Sequence, residues 1–90
     1  MSQDEQFLEQ LLDKLDQMME SDDSDALFVS GYLRGHITLI AGQLDFDKAL
    51  TKDTLISKIE SALFEARQTG ELTPQDSELV KACWDNITLS

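Results

Sequence analysis

The sequence predicts an all-α fold, an antiparallel four-helix bundle formed as a single domain by residues 1–90. Three observations carry this. Apolar residues recur at helical spacing in four separate stretches, residues that start or stop helices stand between those stretches, and the connections are short. Ninety residues are enough to bury one modest core and leave no room for a second. A lone cysteine, Cys83, excludes an internal disulfide.

Helices are expected over residues 3–20, 25–44, 52–69 and 74–88. In the first, Phe7, Leu8, Leu11, Leu12, Leu15, Met18 and Met19 follow the rhythm of an apolar face about 140° wide, with the acids outside. Ser2 and Glu5 are spaced as a capping box at its start. The segment Ser21-Asp22-Asp23-Ser24-Asp25 breaks the pattern, because Ser and Asp side chains compete for backbone hydrogen bonds; Ser24 or Asp25 is expected to cap the second helix.

The second helix is apolar or small around most of its circumference. Ala26, Val29, Leu33, Ile37, Ile40 and Leu44 make one face, Phe28 and Leu39 a second, with Gly31, Gly35 and Gly42 on a stripe beside it. Only Arg34 and Thr38 mark a polar sector. This is the pattern of a central helix covered on two sides.

A turn is expected around Asp45-Phe46-Asp47. The third helix then starts near Thr51 or Asp53, with Leu55, Ile56, Ile59, Ala62, Leu63 and Ala66 as its core stripe. Gly70 supplies the left-handed residue that commonly ends a helix. Thr73 caps the fourth helix, Pro74 occupies the first helical position, where its missing N–H costs nothing, and Asp76 follows three after the cap. Leu79, Val80, Cys83, Trp84 and Ile87 form its inward face.

The net charge of -11 is unevenly placed, since residues 1–25 hold nine acids against Lys14 alone. Seven bases against eighteen acids argue against direct nucleic-acid binding and against attachment to an anionic membrane. No apolar run approaches the roughly 20 residues of a membrane-spanning helix, and the acidic start lacks the features of a secretory signal. A soluble cytoplasmic protein is therefore expected. The charge serves solubility, or it steers the chain toward a basic partner, in the limit as an acidic mimic of nucleic acid.

The run from Asp25 to Leu39, Asp-Ala-Leu-Phe-Val-Ser-Gly-Tyr-Leu-Arg-Gly-His-Ile-Thr-Leu, resembles the hallmark of the YfcL-like family, small uncharacterised bacterial proteins without an assigned biochemical role. Gly70-Glu71-Leu72-Thr73-Pro74-Gln75-Asp76 and Trp84 are also similar to that pattern, whereas the first helix matches only in character. The resemblance supports the partition into helices and implies no activity.

Two groups of side chains merit functional scrutiny. The first is a candidate interaction surface of Gly31, Gly35, Phe28, Leu39 and Phe64. Three glycines inside a helix cost roughly 2 to 3 kcal/mol relative to alanine, so close approach by another backbone must offset them. That backbone belongs either to a neighbouring helix of the bundle or to a second chain or ligand. Phe64 lies opposite the core stripe of its helix, so Phe46 or the C-terminal tail covers it, or it is exposed.

The second group is a candidate polar site of Tyr32, Arg34, His36 and Gln43. Tyr32, His36 and Gln43 share a face, and a phenol, an imidazole and a carboxamide in line can bind a polar ligand or move a proton. The alternative is a Tyr and a His hydrogen-bonded at the edge of the core. Arg34 points elsewhere and is expected to pair with a carboxylate of the first or third helix.

Asp22, Asp23 and Asp25 lack the order of an EF-hand loop, and no pair of Cys or His stands at zinc spacing. Cys83 beside Trp84 reads as a buried thiol. No metal, cofactor or catalytic residue is assigned. The expected mode of action is contact with a protein partner or self-association; the alternative is an enzyme or small-ligand protein with a pocket lined by Tyr32, His36 and Gln43.

Overall fold

The computed structural model describes residues 3–88. They form four helices in order, α1 (Gln3–Met18), α2 (Ser24–Phe46), α3 (Lys52–Thr69) and α4 (Pro74–Thr88). The expected partner of Glu5 in a capping box, Ser2, lies outside the described residues.

Each boundary has a local cause. Asp23 caps α2, its Oδ1 accepting the N–H of Asp25 at 3.1 Å, so the cap lies one or two residues before the Ser24 or Asp25 expected for it. The Asp23 N–H is in turn taken by Ser21 Oγ. At the other end α2 runs through Phe46, absorbing most of the expected turn, and closes with Lys48 at φ 58° while the Ala49 N–H returns to the Leu44 carbonyl at 2.8 Å. Thr51 opens α3 with reciprocal bonds: its Oγ1 accepts the Thr54 N–H, and Thr54 Oγ1 accepts the Thr51 N–H. Gly70, at φ 84°, ends α3 as expected. Thr73 Oγ1 accepts the Asp76 N–H at 3.1 Å, with Pro74 in the first turn.

Contacts between helices fix their directions. Asp16 of α1 pairs with Arg34 of α2, while Glu5 and Leu8, earlier in α1, flank Ala41 and Asp45, later in α2, so these helices are antiparallel. Tyr32 of α2 reaches Glu71 just past the end of α3, and Trp84 of α4 reaches Glu60 of α3. Lys14 Nζ donates to the Ile87 carbonyl in the last turn of α4, where a cation meets the negative end of the helix dipole. Asp4 Oδ1 accepts the Lys52 N–H at 2.8 Å, placing a carboxylate at the positive end of α3, with Lys52 Nζ over the Phe7 ring.

The buried residues make one cluster drawn from all four helices and from Leu72, which the Leu72 N–H to Ala66 carbonyl bond turns inward after α3. Leu15, Leu33, Ile37, Leu55 and Ile59 are fully buried, and Trp84 is nearly so. Each such aliphatic side chain stabilises the fold by about 1.5 to 3 kcal/mol relative to exposure. Helix α2 touches the other three helices, which makes it central as expected. It is covered on one side only: Phe28 and Leu39 stand at the surface, 43% and 60% exposed, instead of beneath a second layer.

Candidate functional site

The outward face of α2 is built by the same helical geometry that buries its inward face. At 100° per residue, Leu33, Ile37 and Leu44 fall within a narrow sector directed at the core. Phe28, Tyr32, Gly35, Leu39, Gly42 and Phe46 occupy about 80° of arc on the opposite side. Phe46 is 87% exposed, and the three glycines of α2 are all exposed. A Cβ placed on Gly31, Gly35 or Gly42 meets no atom within 4 Å. Of the two alternatives for this stripe, close packing on a neighbouring helix of the bundle is not made: the glycines face open space within the chain.

The candidate polar side chains do not converge. Tyr32 and His36 are in contact, ring centroids 4.5 Å apart, and Phe28 continues the stack at 6.0 Å from Tyr32. The Tyr32 hydroxyl donates to Glu71 Oε2 at 3.3 Å. Partial burial first, then the neighbouring Glu71 charge and that hydrogen bond, push the phenol up to about 12, because each penalises the phenolate. Gln43 stands two turns from His36 and lines a shallow groove with Thr38, Leu39, Gly42, Phe46 and Asp47, away from Tyr32 and His36. Arg34 faces α1, its Nε 2.8 Å from Asp16 Oδ1, which holds the guanidinium still more firmly in its charged form. The pairing expected of Arg34 is thus made with α1.

Phe64 is 67% exposed, which is the third of the outcomes open to it. It lines a groove of about 370 Å³ between α3 and α4, together with Arg67, Leu72, Lys81 and Trp84. No residue of the α2 stripe lines that groove, so Phe64 belongs to a different surface from Phe28, Gly31, Gly35 and Leu39.

The remaining candidates have structural explanations. Asp23 of the acidic connection is spent on the α2 cap. Among the described residues no group of three or more His, Cys, Asp or Glu side chains is placed to hold a metal ion. Cys83 is buried, its Sγ 3.4 Å from Met18 Sδ, and burial pushes the thiol up, away from the reactive thiolate. No helix among the described residues is long and apolar enough to cross a membrane.

Sequence reasoning underestimated two features of α2. Ser30 is fully buried, its hydroxyl satisfied by the Leu27 carbonyl at 3.2 Å, and Ala41 is buried in the inward sector. Phe46, expected in a turn, is the most exposed large apolar side chain among the described residues and extends the outward stripe by a full turn. Its heptad spacing from Leu39 is the one signal in the sequence that places it on the same helix face.

Residues 5–89 match the model of a family described as YfcL protein. A relative from Escherichia coli (strain K12), described as uncharacterized protein YfcL, is 34% identical over 82 residues, covering 91% of this chain and 89% of its own length. No solved structure matches the chain.

Proposed function

This chain belongs to the YfcL family, and from that premise we propose that it acts by protein–protein contact through the outward face of α2, without chemistry of its own. One observation carries the reading. The helix that supplies the centre of the core also exposes Phe28, Leu39 and Phe46 in line on its opposite face. Scattered exposed apolar residues are ordinary, whereas three large ones aligned on one helix face favour a contact surface. The separation of Gln43 from Tyr32 and His36 weighs against the ligand-binding alternative, which requires convergent polar groups in one concavity.

The test is affinity capture from cell extract at low and moderate salt, comparing the native chain with Leu39→Asp, together with the association state of each purified protein. Binding or self-association that the native chain shows and Leu39→Asp loses, with the helical circular dichroism of the two unchanged, supports the reading. A native chain that binds nothing and does not self-associate overturns it.

A further inference from the structure

Resting on that reading and naming its partner, we propose that the outward face of α2 receives a second copy of this chain, the two α2 helices running antiparallel about a two-fold axis at the level of Ile37. The stripe has the spacing of a coiled-coil seam. Phe28, Tyr32, Gly35, Leu39, Gly42 and Phe46 are separated alternately by four and three residues, the repeat that keeps one seam facing a partner helix.

The seam is also self-complementary. In an antiparallel pair centred on Ile37, residues equally far from it on either side share a layer. Phe28 and Phe46 lie nine residues from Ile37, Tyr32 and Gly42 five, Gly35 and Leu39 two. Leu39 therefore enters the space left by the partner's Gly35, and Tyr32 that left by the partner's Gly42. Phe28 meets the partner's Phe46 at each end. Because a two-fold axis repeats every layer, one stripe provides both the knobs and the gaps, as an isologous interface requires. A parallel pair places Gly35 against Gly35 and Leu39 against Leu39, with gaps in one layer and crowding in the next. The exposed glycines, which nothing within the chain approaches, acquire a reason in the antiparallel arrangement.

Charge selects the same face. Two chains of -11 repel, yet residues 26–44 contain no Asp or Glu although the chain has eighteen acids. Along its middle α2 itself carries no carboxylate, while Glu71 beside Tyr32 and Asp45 and Asp47 beside Phe46 stand at the flank and ends of the seam and oppose the pair at low salt.

Area sets the strength. With about 200 Å² for a phenylalanine, the exposed parts of these six residues come to roughly 400 to 500 Å² per copy, so the pair buries on the order of 1,000 Å², the lower end of specific interfaces. The dimer is therefore weak, concentration-dependent and strengthened by salt that screens the acids.

Sedimentation equilibrium over a range of protein and salt concentrations tests this with three proteins. The native chain is expected to show a monomer–dimer equilibrium that moderate salt shifts toward dimer. Gly35→Leu, whose Cβ meets no atom within 4 Å in the monomer, is expected to remain folded and to lose at least tenfold in dimer affinity. The double variant Gly35→Leu with Leu39→Gly exchanges knob for gap in the same layer, and is expected to recover to within a few-fold of native. A native chain that stays monomeric, a Gly35→Leu dimer of native strength, or a double variant that stays monomeric overturns the second copy as partner. If the native chain is monomeric while Gly35→Leu or Leu39→Asp loses a protein captured from extract, the contact function stands with a different partner. If no association of either kind is found, both readings fall.

Discussion

The two faces of α2 share one backbone and differ in what they meet. Inward, Leu33 and Ile37 are fully buried and Ser30 has its hydroxyl satisfied by its own helix. Outward, Leu39 and Phe46 are as apolar as their inward counterparts but lie open to water, in a stripe shared with glycines that no other part of the chain approaches. Side-chain chemistry alone does not distinguish a core from a contact surface. The difference lies in whether the chain itself supplies the opposing surface.

Truncation on the two faces should break this symmetry by the largest margin. Ile37→Ala is expected to cost about 2 to 5 kcal/mol, because it removes buried methylenes and leaves a cavity that the bundle closes only in part. Against a total of about 5 to 15 kcal/mol, that comes near to unfolding the protein. Leu39→Ala is expected to change monomer stability by no more than about 0.5 kcal/mol. Urea denaturation at low protein concentration measures both, and similar losses would mean that the outward face is covered within the chain.

Glycines allow a finer comparison. Gly70 and Gly31 both face open space, so a methyl group clashes at neither. Gly70 holds φ at 84°, where a side chain costs roughly 1 to 2 kcal/mol, and Gly70→Ala should destabilise by about that amount. Gly31 is in regular helix, and Gly31→Ala should stabilise by about 0.5 to 1 kcal/mol. Opposite signs in thermal melts are the expected result. A loss at Gly31 would mean that something approaches it closely in the folded state.

These contrasts separate what was legible in the sequence from what was not. The four helices and most of their ends were legible, because Thr51, Gly70, Thr73 and Pro74 act through local hydrogen bonds and dihedral preferences that depend on few neighbours. The cap by Asp23 was less so, since three Asp and two Ser compete within five residues and position alone decides. The pairing of Arg34 was foreseen as to partner type, but the choice of Asp16 needed the crossing of α1 on α2. Coverage of Phe28, Leu39 and the glycines was not legible at all. Periodicity shows that two faces are apolar; which one finds a helix is decided by how α1, α3 and α4 share a single core.

Tyr32 links the two faces, standing in the outward stripe while bonded back to Glu71. Its phenol is raised to about 12 from an ordinary value near 10. The stability it contributes is thus fully present below about pH 10 and is lost as pH rises through about 12. It is the chain's single tyrosine, so phenolate absorbance reports it directly. Glu71→Gln should lower the midpoint only part of the way, because burial is the largest cause. A full return to the ordinary value would make Glu71 the dominant influence.

The smallest expected effect lies on the flank of α2 that meets α1, where Arg34 and Asp16 are both partly exposed. An exposed pair gains little over its hydrated partners, and here its attraction competes with repulsion among the acids of α1. Asp13→Asn and Asp16→Asn each remove one negative charge from α1, but only the second also removes the partner of Arg34. At low salt Asp13→Asn should raise the melting temperature slightly through relief of repulsion, and Asp16→Asn should raise it less or lower it. Moderate salt should shrink the difference by screening both terms, and should by itself raise the melting temperature of the native chain. If the two variants melt together at every salt concentration, the Arg34–Asp16 pair adds nothing, and the orientation of α2 on α1 is set by apolar packing alone.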